Sequence, residues 1–126
     1  MDKIALEEHF RVPNMPEYSG AGQYISDSAA AKYMDDRLAD FDDLRLQAMA
    51  EANVTRAILS HTVPGLGATL DKRKAVNDAP RINDFLAENI APHPNRFGGF
   101  ASLPMQSAPD AARELERCVK QLGSSA

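Results

Sequence analysis

Apolar and polar positions change period several times along this 126-residue chain. Lys3-Ile4-Ala5-Leu6 is a short apolar run that predicts a strand, and it leads into Glu7, Glu8 and His9. Residues 11–34 lose any regular pattern. Their two prolines, two glycines and scattered Ser, Asn and Asp predict a long loop, and a structureless connection longer than ~15 residues is commonly functional. Helical spacing begins near Asp40, a candidate N-cap. Phe41, Leu44, Ala48 and Met49 or Ala52 share one face, and Asn53 is a candidate stop. The β-branched and apolar run 55–63 predicts a strand closed by Pro64-Gly65. Residues 71–91 predict a helix, kinked or broken near Asp78 because Pro80 removes a backbone donor. Residues 96–104 predict a third strand, weakened by Gly98 and Gly99. Residues 108–123 give the clearest helix. Pro109 stands in its first turn, Ala112, Leu115, Val119 and Leu122 form a stripe, and Gly123 supplies the stop.

The resulting order is strand, loop, helix, then strand-helix twice. Successive βα units imply an α/β fold with a parallel sheet. About three units are too few for a (β/α)8 barrel, which needs at least ~200 residues. The expectation is therefore the N-terminal portion of a TIM barrel, incomplete or cut short. A small three-stranded α/β domain that folds alone is the rival.

Composition narrows the partners. With 44% hydrophobic and 25% charged residues the chain reads as globular. A net charge of −4 argues against nucleic acid or an anionic membrane as the main partner, since both need a basic face. No run approaches the ~18 apolar residues of a membrane span, and the N-terminus has no basic region followed by an apolar core. The single cysteine, Cys118, has no partner for an internal disulfide, which fits a reducing, cytoplasmic setting.

The candidate chemistry lies at the end of the first predicted strand. Side chains alternate along a strand, so Lys3, Ala5, Glu7 and His9 share one face and Ile4, Leu6 and Glu8 the other. In a parallel barrel the Ile4 and Leu6 face would meet the helices, and the Ala5 face would point inward. Glu7 and His9 would then emerge together at the C-terminal end of the strand, where barrel enzymes hold their reactive groups. A carboxylate and an imidazole so placed can reach one ion at ~2.0–2.2 Å, and this donor pair suits Zn²⁺ or Mn²⁺. A solvated pair of surface side chains is the plainer alternative.

The KIALEEHF stretch resembles the N-terminal signature of the metal-dependent decarboxylases of the amidohydrolase superfamily, the γ-resorcylate, 2,3-dihydroxybenzoate and 5-carboxyvanillate decarboxylases. RLADFDDLRLQAMAEANVTRAILSHTVPG and NDFLAENIAPHPNRFGGFASLPMQSAPDAARELERCVKQLG resemble two further blocks of that family, so the likeness runs from residue 3 to Gly123. The resemblance implies a (β/α)8 fold, one divalent metal, Zn²⁺ or Mn²⁺, and non-oxidative loss of CO2 from a small aromatic carboxylic acid of the hydroxybenzoate type. It implies Glu7 and His9 as two metal ligands, with the remaining ligands and the proton donor beyond residue 126. Homo-oligomers are common in the family. The alternatives are an amidohydrolase-type hydrolase of an amide or lactone, which the glutamate in place of a first histidine disfavours, and a non-catalytic fragment that pairs its open sheet edge with a full-length relative.

His61 ends the second predicted strand and is a candidate for the substrate side of the site or for support of it. Hydrogen bonding to nearby loop backbone is the alternative. His93, between two prolines at the opposite end of a strand, is assigned to a turn. The PGLGA stretch, 64–68, lacks the spacing of a phosphate loop. Cys118 is assigned to packing. Tyr18, Tyr24 and Tyr33 either wall an aromatic substrate or pack the loop on itself.

Overall fold

The computed structural model describes residues 1–20 and 27–123. Three parallel strands, β1 (Lys3–Phe10), β2 (Val54–His61) and β3 (Phe97–Gly99), form one sheet in the order β1-β2-β3. Helices α1 (Ser28–Ala39) and α2 (Asp43–Glu51) connect β1 to β2, and α3 (Lys72–Ile90) connects β2 to β3. After β3 comes α4 (Ala108–Arg117), which relaxes into a π turn (Cys118–Leu122) ended by Gly123 in the left-handed region, φ 67°. The α/β class and the βα order match the sequence expectation.

The 11–34 segment differs from the predicted loop. Pro16–Tyr18 forms a 3₁₀ turn, and a helix starts at Ser28. Asp27 caps that helix, its carboxylate accepting from Ala29 N at 2.8 Å. Hydrophobic spacing gave no sign of α1 because none of its residues is buried. Tyr24 lies outside the described residues. Asp40 is not the N-cap residue of α2, a position that Asp42 holds, yet its Oδ1 accepts from Arg45 N at 2.9 Å and so serves the same orphan donor.

Two further expectations are corrected. α3 runs without interruption through Pro80, because Ala75, Asp78 and Ala79 on one side of it and Ile82, Asn83 and Leu86 on the other are buried. In α4 the buried positions are Ala111 and Glu114, continued by Cys118, rather than the predicted apolar stripe, of which Ala112 is exposed and Val119 is 46% exposed. Polar bonding turns the helix this way. Asn83 donates to Glu114 Oε1 at 2.7 Å and to Ser102 O at 2.9 Å, Ser102 N donates back to Asn83 Oδ1, and Arg117 bridges Glu114 and Asp84. Burial pushes the Glu114 carboxyl up, but the bonds from Arg117, Asn83 and Cys118 outweigh it and hold its pKa below the ordinary value.

The core fills the layer between the sheet and the helices. Phe10, Phe41, Ala57, Leu59, Ile82, Leu86 and Phe97 are its centre, and the Phe10 and Phe41 rings lie 6.0 Å apart. β3 is far shorter than predicted, and its glycines show why they are there. A Cβ on Gly99 would come within 2.5 Å of Leu86 Cδ2, and one on Gly98 within 2.8 Å of Ile58 Cδ1. The missing side chains let α3 and β2 close on the strand.

A second polar cluster pins the connection that leaves β1. Tyr18 OH donates to the buried Asp78 at 2.6 Å, Lys74 Nζ donates to it at 2.7 Å and Arg81 at 2.9 Å. Burial pushes the Asp78 carboxyl up, and these three bonds pull it below the usual range. Tyr18→Phe removes the bond that fastens the 3₁₀ turn to α3 and is expected to cost about 1.5–3 kcal/mol in urea unfolding, as for a hydrogen bond to a charged group. Gly99→Ala is expected to cost about 1–3 kcal/mol in the same measurement, because Leu86 must move.

Candidate functional site

Register decides which side chains of β1 reach which face. Ala5 pairs with Ala57, and Glu8 with Leu59. β1 thus spends one more residue than β2 over this stretch, a bulge. Ala57 and Leu59 belong to the core, and Ala5 packs against it. The expected facing of the early strand is therefore reversed: Ala5 meets the helical layer, while Ile4 and Leu6 are 61% and 64% exposed on the other side. Glu8 lines, with Ala5, Arg45 and Met49, a cavity of about 280 Å³ between β1 and α2. Glu7 and His9 flank Glu8 and by alternation face away from that cavity; both are exposed. Without the bulge, the facing of Ala5 would have turned Glu7 and His9 toward the helices.

His9 is held from two directions. It pairs with Ser60, and its Nδ1 lies 3.1 Å from Ser60 Oγ. Its carbonyl accepts from Arg45 Nη2 at 2.8 Å. The Arg45 guanidinium also donates to Arg37 O and Asp40 O, so one side chain ties the end of α1, the start of α2 and the end of β1. Periodicity gave no sign of Arg45 or Ser60. Their roles follow from strand pairing and helix placement, although a polar residue at the end of the neighbouring strand was a visible signal for Ser60.

A carboxylate and an imidazole on one strand face, with one imidazole nitrogen engaged by a neighbour, form a donor set that fits a divalent cation. The engaged nitrogen fixes the ring, and the other remains for a ligand. Among the described residues no group of three or more His, Cys, Asp or Glu could hold a metal ion, so the pair is at most part of such a site.

The structure brings His61 to a different place. It pairs with Phe10, and its ring lies 5.3 Å from that of Phe10 and 6.4 Å from that of Tyr18. It thus stands on the helical side, apart from Glu7 and His9. Both ring nitrogens are shielded and have no hydrogen-bond partner among the described residues, so the bonding to loop backbone considered as the alternative is not found there. Burial lowers its pKa from 6.5 to about 4.

The remaining candidates take structural places. His93 lies in the turn before β3, its Nε2 2.7 Å from Asp42 Oδ1. Gly65–Ala68 is a 3₁₀ turn whose Leu66 carbonyl accepts from Gln106. Cys118 is buried, and burial pushes its thiol up to about 12, which suppresses the thiolate. Tyr18 is occupied by Asp78, and Tyr33 is exposed beneath Arg37. No helix among the described residues is long and apolar enough to cross a membrane.

The amidohydrolase family profile matches residues 7–125. The gamma-resorcylate decarboxylase of Polaromonas sp. is 46% identical over 121 residues, which cover 96% of this chain and 36% of that protein. Its counterpart in Rhodococcus jostii is 43% identical with the same coverage. Among solved structures, a dihydroxybenzoic acid decarboxylase from Polaromonas sp. with bound manganese and the inhibitor 2-nitroresorcinol superposes with a TM-score of 0.90 at 43% identity, covering 98% of this chain and 36% of that one. A 2,6-dihydroxybenzoate decarboxylase complexed with 2,6-dihydroxybenzoate gives 0.89 at 40% identity, covering 98% and 37%. The chain spans about a third of the length of the curated relatives it matches, and the fold matches their N-terminal part.

His61 yields a pH test. Its native pKa is depressed, so between pH 6.5 and about 4 the unfolded chain binds a proton that the folded chain refuses. Stability is therefore expected to fall as pH drops through that window, by an amount approaching about 3 kcal/mol. Urea unfolding of His61→Leu over the same window should show a flatter profile than the parent chain.

Proposed function

This chain belongs to the amidohydrolase family, and on that premise we propose that it is the N-terminal portion of a metal-dependent carboxy-lyase that removes CO2 non-oxidatively from a dihydroxybenzoate-type acid. The observation that carries the reading is the pair Glu7 and His9 on the face of β1 away from the helices, in a chain 46% identical to a gamma-resorcylate decarboxylase.

In this reading Glu7 and His9 are two ligands of one divalent ion, Mn²⁺ or Zn²⁺, both of which accept oxygen and imidazole donors. When bound, such an ion supplies Lewis-acid stabilisation of negative charge on the substrate's oxygens. Glu7 brings one negative charge and a neutral imidazole brings none, so the pair leaves room for an anionic carboxylate substrate. Ile4 and Leu6, exposed on the side of the sheet away from the core, offer an apolar floor below the two polar groups. The other ligands and the proton donor are proposed to come from segments that the longer relatives possess.

In the protein that carries this chain, Glu7→Ala and His9→Ala are each expected to weaken Mn²⁺ binding about tenfold or more, a loss no smaller than that of disturbing a supporting residue. CO2 release from 2,6-dihydroxybenzoate should fall with it, while amides and lactones should not be hydrolysed by the parent protein. Unchanged metal content in Glu7→Ala would remove Glu7 from the site, and amide hydrolysis without CO2 release would replace the lyase with a hydrolase.

A further inference from the structure

We infer that Ser60 is a positioning residue that sets the tautomer of His9 and so selects which ring nitrogen is offered to a metal. The inference rests on the proposed role of His9 and adds to it a residue on a different strand.

The geometry begins with the register. β1 and β2 are parallel, and His9 stands opposite Ser60. The bulge between Ala5 and Glu8 creates this pairing, because it moves every later residue of β1 one step against β2. Ser60 is partly buried and occupies the face opposite Leu59, which lies in the core. Its Oγ is 3.1 Å from His9 Nδ1 and 3.5 Å from Glu8 O.

Proton bookkeeping orders these contacts. A serine hydroxyl has one proton to give and lone pairs to accept with, and a backbone carbonyl accepts only. With the hydroxyl proton directed to Glu8 O, Oγ presents lone pairs to the ring, and His9 Nδ1–H donates to it. The neutral imidazole then keeps its lone pair at Nε2. Arg45 holds the same residue through its carbonyl, so the backbone is anchored from α2 and the ring from β2. A ring anchored in this way loses less rotational freedom on binding a cation.

The test uses the protein that carries this chain, with isotope-labelled histidine, and has two readouts. Imidazole nitrogen and carbon chemical shifts report the His9 tautomer without metal. Paramagnetic broadening of the His9 resonances by added Mn²⁺ reports metal contact. The parent protein is expected to show the Nδ1–H tautomer. Ser60→Ala should give a mixture and should need roughly 10–100-fold more Mn²⁺ for the same broadening. Ser60→Thr, which keeps the hydroxyl, should restore both. An Nε2–H tautomer in the parent protein, or no change of tautomer in Ser60→Ala, would overturn the role of Ser60 even if Mn²⁺ still broadens His9. If Mn²⁺ leaves His9 of the parent protein untouched, the metal role of His9 fails, and the assignment of Ser60 to metal positioning fails with it.

Discussion

One extra residue in β1 governs the rest of the molecule's candidate chemistry. A strand that packs Ala5 against the helices would, by alternation, turn Glu7 and His9 the same way. The bulge between Ala5 and Glu8 breaks that rule once. It lets the early strand contribute to the core and still brings Glu7 and His9 out on the opposite face. Bulges commonly re-aim side chains beside functional sites, and here the consequence reaches the neighbouring strand as well, since it also sets His9 opposite Ser60.

Polar clusters then hold the strand ends in place. Arg45 is largely desolvated, and burial lowers its pKa; it bonds three carbonyls across α1, α2 and β1. Asp78 gathers Tyr18, Lys74 and Arg81, and Glu114 gathers Asn83, Arg117 and Cys118. Each carboxylate would be costly to bury alone. Hydrogen bonds from several donors keep each one charged and tie loops to α3 or α4. His61 shows the opposite case: its ring is placed among aromatics, its nitrogens are unpartnered among the described residues, and it stays neutral well below the ordinary histidine range.

The relatives are almost three times as long as this chain, and the fold matches their N-terminal part. The chain belongs to the amidohydrolase family and resembles decarboxylase structures that carry manganese.

Much of the architecture was legible in the residues themselves. Apolar period, turn residues and caps determined that strands and helices alternate, that β2 ends before Pro64-Gly65, and that Gly123 closes the last helix, because these are local properties of the backbone and of side-chain spacing. The Glu7 and His9 pair was visible for the same reason, as two metal-capable side chains at a strand end. Tertiary structure alone decided the facing of Ala5, Ile4 and Leu6, the burial of Glu114 in place of Val119, the passage of α3 through Pro80, and the partnership of His9 with Ser60 and Arg45. Those depend on register and on networks between residues tens of positions apart, and a pattern read along one chain carries no information on which distant backbone stands opposite.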